Sequence, residues 1–108
     1  MHRDHVPAQT IPSAFHQLGT TPTCDNHGMV RFLSSPTPEG RTLENVQIFT
    51  VQGHPEFDET IVTELVRIRR ANGIIDEKTA ADAEKRKKEP THGLLLGKAI
   101  WRVLGAGA

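Results

Sequence analysis

The sequence predicts an α/β fold: a small mixed sheet with an edge hairpin, followed by three helices toward the carboxyl end. Three observations carry this. Val46, Ile48, Phe49 and Val51 form a short β-branched and aromatic run that stops at Gln52-Gly53, the pattern of a strand buried on both faces. Two alternating runs precede it, separated by turn residues. Beyond residue 57 the apolar period lengthens to that of a helix.

Length and composition set the frame. A chain of 108 residues holds one domain and a modest core. Hydrophobic content of 36% with 24% charged residues is globular. Lys+Arg and Asp+Glu both number 13, so no overall field favours nucleic acid, an anionic membrane or an acidic substrate. One cysteine excludes an internal disulfide and a cysteine-rich zinc site. The first residues lack the apolar core of a signal peptide, and the apolar stretches fall well short of the roughly 20 residues that span a bilayer. The expected compartment is therefore the cytoplasm. Motif-like residues within five positions of Met1 suggest a truncated gene product.

In chain order, His2-Arg3-Asp4-His5-Val6 ends a strand or follows one, and Pro7 and Pro12 make the next residues irregular. His2, Asp4 and His5 invite a metal reading, but no other cluster with ligand spacing follows and a zinc site needs three or four ligands. No metal or cofactor is expected. Phe15 to Thr21 alternates as a strand, Pro22 to Gly28 has turn composition, and Gly28 to Leu33 returns as a second strand, giving the edge hairpin. His16 and His27 are expected to be hairpin residues. Ser34 to Thr42 is a Ser/Pro/Gly loop leading to the central strand.

Three helices follow. Residues 58 to 71 place Ile61, Val62, Leu65, Val66 and Ile68 on one face, with Asp58 or Glu59 at the start and Asn72-Gly73 at the close. Residues 76 to 88 open on Asp76 as N-cap and end in Lys85-Arg86-Lys87-Lys88, acid first and base last as the helix dipole favours. That basic run is a solvated helix end, since it is flanked by Glu84 and Glu89 and has no interleaved aromatics. After Pro90, residues 91 to 104 form the last helix, with Trp101 expected in the core.

The chemistry concentrates where the apolar strand ends. Pro55 cannot donate to a ladder, and residues two apart in extended chain project to the same side. His54 and Glu56 can therefore emerge together at the strand's carboxyl end, where open α/β sheets bind ligands. An imidazole beside a carboxylate is the base and orienter half of a nucleophilic triad. Cys24, the single thiol, has an acidic neighbour in Asp25 and no strand-turn-helix around it. It is expected to be a packed thiol, not a nucleophile.

The string Phe49-Thr-Val-Gln-Gly-His-Pro-Glu-Phe57 resembles the histidine and glutamate motif of the class I glutamine amidotransferases, and His2-Arg-Asp-His-Val6 resembles that family's His-x-Asp-x-Val segment. The resemblance covers most of the chain and implies that residues 1–108 correspond to the carboxyl-terminal half of such a domain, of flavodoxin-like fold. It implies that His54 matches the general base, that Glu56 matches the residue orienting it, and that His2 lies near the glutamine pocket. The family's Gly-x-Cys-x-Gly turn is absent from this sequence. The implied function is that of a glutamine amidotransferase-like protein, acting on glutamine or a γ-glutamyl compound but catalytically incomplete by itself. The alternatives are a non-catalytic interaction module, with a partner chain or self-association through the incomplete sheet, and part of a γ-glutamyl peptidase-type cysteine hydrolase.

Overall fold

The computed structural model describes residues 4–34 and 37–106. Three strands, β1 (Phe15–Thr21), β2 (Cys24–Phe32) and β3 (Val46–Val51), precede three helices, α1 (Glu59–Ala71), α2 (Glu77–Arg86) and α3 (Gly93–Val103). The strands form one sheet in the order β1-β2-β3. The chain divides into two compact units, Met1–His54 with Leu95–Ala108, and Pro55–Leu94.

Both strand pairings are antiparallel, which corrects the expectation of a mixed sheet. Among the described residues, the segment between β2 and β3 contains short 3-10 turns, Pro38–Gly40 and Leu43–Asn45, and no crossover helix. A chain returning without such a crossover pairs antiparallel. The apolar strand is consequently an edge strand and not the centre of the sheet. It is buried at Val46, half-buried over Ile48–Thr50 and exposed at Gln47 and Val51, so both faces of the strand are only partly covered instead of fully buried.

The central strand is β2. Cys24, Asn26, Gly28 and Val30 are buried in strict alternation, the signature of a sheet with one packed face. Cys24 to His27, expected as a turn, belong to this strand, and the reversal narrows to Pro22-Thr23. Two register shifts in the β1–β2 ladder accommodate the tight reversal, one between Gln17 and Gly19 and one between Gly19 and Thr21. Side chains hold the hairpin's start: Asn26 Nδ2 donates to the Val6 carbonyl at 3.0 Å, Gln17 Nε2 donates to the Asp25 carbonyl, and His5 Nε2 faces Asp25 Oδ1 at 3.1 Å.

Gly28 is where the sheet is tightest. A Cβ there would lie 2.6 Å from the Thr50 carbonyl oxygen, so only glycine lets β2 and β3 approach this closely. Thr50 also uses its hydroxyl, which accepts from Met29 N at 3.1 Å. In the same unit, Arg102 of α3 donates twice to Glu44 Oε1, from Nε at 3.0 Å and from Nη2 at 2.5 Å.

In the second unit, α1 and α2 pack through Val66 and Ala80, which are buried. Each helix starts on an aspartate: Asp58 Oδ1 accepts from Ile61 N at 2.8 Å, and Asp76 Oδ1 accepts from Thr79 N at 2.7 Å. These bonds satisfy amide donors that the first helical turn leaves unpaired. α1 ends in a Schellman motif, with Gly73 at φ 65°, its N–H on the Arg70 carbonyl and Ile74 N on the Arg69 carbonyl. α3 ends the same way at Gly105, φ 72°, with Gly105 N on Arg102 O and Ala106 N on Trp101 O. Trp101 is 60% exposed, against the expectation of a core position, and Leu94 and Leu104 are also open to solvent.

Candidate functional site

The Gly53-His54-Pro55-Glu56 string leaves the sheet at the end of β3. Val51 is the last paired residue, opposite Gly28, and one further bond, Gln52 N to the His27 carbonyl at 2.9 Å, holds the chain against β2. Gly53 follows, and a Cβ built there would lie 4.0 Å from His27 Nδ1. The His27 ring thus flanks the residue that precedes His54. Composition alone assigns His27 to a hairpin turn. The pairing of Gly28 with Val51 brings it to the motif, and no signal short of that register identifies it.

His54 is exposed and closes the first unit. Pro55 and Glu56 form a turn at the start of the second, with Pro55 half-buried and Glu56 exposed. Proline accounts for the break, since its ring removes a ladder donor and restricts the residue before it. A Cβ on Gly93 would collide with the Pro55 carbonyl oxygen, so the backbone entering α3 passes directly over the proline. Two residues after Glu56, Asp58 occupies the N-cap of α1. The amino end of α1 thus carries two carboxylates, Asp58 at its N-cap and Glu59 in its first turn, both favoured there by the helix dipole.

Cys24 stands apart from this chemistry. The side chain belongs to a residue only 4% exposed, and its Sγ donates to the Asn26 carbonyl at 3.2 Å. Its backbone N donates to Thr21 Oγ1 at 3.1 Å. A reactive cysteine requires thiolate character and access, whereas this thiol is covered and already committed to a neutral acceptor. The features are those of a packed strand residue.

His5, weighed with Asp4 as a metal ligand, faces Asp25 instead. His2, expected near a glutamine pocket, lies outside the described residues. His16 packs its ring against Phe32, with centroids 5.6 Å apart and planes inclined at 57°. Among the described residues, no group of three or more histidines, cysteines or carboxylates is placed to hold a metal ion, and no helix is long and apolar enough to cross a membrane.

Comparison with known proteins gives one informative similarity. The chain is 29% identical over 104 residues to a Schizosaccharomyces pombe protein named as glutamine amidotransferase-like. The match takes in 96% of this chain and 36% of that protein, so the chain spans roughly a third of its relative's length. No family profile matches the chain, and no solved structure matches it significantly.

Proposed function

We propose that this chain is a glutamine amidotransferase-like protein in which His54 serves as general base, Glu56 orients it, and the nucleophilic cysteine lies outside these 108 residues. The observation carrying the proposal is the Gly53-His54-Pro55-Glu56 string at the end of β3. The similarity to a protein of that name, extending over nearly the whole chain, supports it. The burial of Cys24 supports assigning the nucleophile elsewhere.

In the complete reaction, His54 accepts the proton of a cysteine thiol, and the thiolate attacks the side-chain carbonyl carbon of glutamine. The carbon–nitrogen bond breaks as the imidazolium returns the proton to the departing ammonia. Water, deprotonated by the same imidazole, then cleaves the thioester to glutamate and restores the thiol. Glu56 holds the ring in the tautomer that accepts the proton and stabilises the imidazolium. Residues acting as such a unit fail together when one is missing, so the chain by itself does not turn over glutamine.

In the first unit, the exposed large apolar side chains Leu95 and Trp101 of α3 and Leu104 just past its end favour a second role beside this one. They offer a surface to a partner chain, and the partner consistent with the first reading is one that brings the cysteine.

Steady-state ammonia release from L-glutamine tests the reading, with His54→Ala as control. The purified chain is expected to show no His54-dependent turnover. Grafted in place of the matching part of a complete class I amidotransferase domain, it is expected to show turnover that His54→Ala abolishes. Turnover by the isolated chain that depends on His54 would place the nucleophile within it and overturn the assignment.

A further inference from the structure

The first unit contains a cleft of about 360 Å³ lined by Ser13, His16, Arg31, Phe32, Ser34 and Arg41 with their neighbours. No carboxylate lines it. Among the described residues, neither Arg31 nor Arg41 takes part in an ion pair. The unit's acids are largely engaged elsewhere: Asp25 with His5, Glu44 with Arg102, and Glu39 with its own backbone and Thr37.

The second unit supplies the contrast. A cleft between α1 and α2 also contains two arginines, Arg67 and Arg70. There Arg67 meets Glu64 at 2.9 Å and Arg70 meets Glu77 at 2.6 Å. That cleft carries its own counterions, and the first does not.

We propose that the Arg31–Arg41 cleft binds a small phosphomonoester. Two guanidinium groups match the charge and the several acceptor oxygens of a phosphoryl dianion, and arginine's planar fork is suited to such bidentate recognition. The Ser13 and Ser34 hydroxyls and the His16 ring can add further hydrogen bonds to the same group. Phe32 and Leu33 provide an apolar wall for the organic part of the ligand. The volume suits a small molecule, near the lower end of the usual range for ligand pockets. This site is independent of the amidotransferase-like reading: none of its residues belongs to the Gly53–Glu56 string.

Titration of the isotopically labelled chain with phenyl phosphate, followed by amide chemical shifts and calorimetry, tests the proposal. The expected result is saturable binding with shifts confined to residues 13–16, 31–34 and 41. Arg31→Gln and Arg41→Gln should each weaken it roughly tenfold, the usual effect of removing a charge-assisted hydrogen bond. Arg67→Gln, in the cleft that is already neutralised, should leave it unchanged. If Arg31→Gln collapses the amide dispersion of β2, Arg41→Gln, which lies outside the strands, decides the matter. Non-saturating shifts, equal losses from Arg67→Gln, or glutarate binding as tightly as phenyl phosphate would each overturn the proposal.

Discussion

Gly28 brings the backbone of β2 so near Thr50 of β3 that a methyl group on it would lie 2.6 Å from the Thr50 carbonyl oxygen. The obstacle is backbone in a hydrogen-bonded ladder, not the free end of a side chain, so relief requires the two strands to part. Gly28→Ala should destabilise the protein by about 1–3 kcal/mol, the usual cost of forcing atoms into a packed site. Gly97, inside α3, has nothing within 4 Å of where its Cβ would be. Gly97→Ala should therefore stabilise by about 0.5–1 kcal/mol, because alanine loses less backbone freedom in a helix. Urea unfolding of both variants checks the opposite signs.

The N-caps of α1 and α2 predict a second pair of losses. Asp58→Ala should cost about 1 kcal/mol by leaving the Ile61 amide without its acceptor. Asp76→Ala should destabilise in the same direction through Thr79. Helical circular dichroism against urea measures both.

Acid should weaken the fold through three carboxylates. The Thr79 amide and hydroxyl beside Asp76 lower its pKa, the Arg102 guanidinium lowers that of Glu44, and backbone and Thr37 hydrogen bonds lower that of Glu39. A carboxylate whose folded pKa lies below its unfolded value contributes stability that is full above the unfolded value and is lost as pH falls through the folded one. The contribution therefore begins to fall at about pH 4, near the unfolded carboxylate values, and is gone only once pH has passed below the lowered folded ones. Since all three groups are exposed, the effect is modest and screened by salt. Glu44→Gln should flatten part of this acid limb at low ionic strength, and a pH series of thermal melts will show whether it does.

Cys24 should react only when the structure opens. With its residue 4% exposed and its thiol donating to Asn26 O, labelling by a maleimide should rise with urea along the same transition as the loss of circular dichroism. Rapid native-state labelling at the rate of a free thiol would contradict its burial.

Much of this architecture is legible in the residues. Phe15 to Thr21 alternates and forms β1, Asp58 and Asp76 announce the two capped helices, and Asn72-Gly73 closes α1. Local chemistry decides those features. Cys24 to His27 escaped because Asp25 and Asn26 have turn composition, yet Asn26 turns its polarity to use in a strand, donating to Val6 O and accepting from Gly28 N. The run at Val46–Val51 identifies a strand without revealing its place: β-branched residues suit an edge as well as a centre, and only pairing distinguishes them. Trp101 shows the same limit, since an apolar helix face does not state what covers it. At the candidate site the string around His54 is visible in sequence, whereas the position of His27 beside Gly53 depends on the β2–β3 register.

In the proposed function Glu56 orients the imidazole of His54. Long-range proton–nitrogen correlation spectra of the histidine rings measure it most directly, because they report the tautomer of each imidazole. Glu56→Ala should change the tautomer balance at His54, while Glu59→Ala, at the first residue of α1, should leave it unchanged. A His54 ring with the same tautomer in wild type and Glu56→Ala would contradict the account.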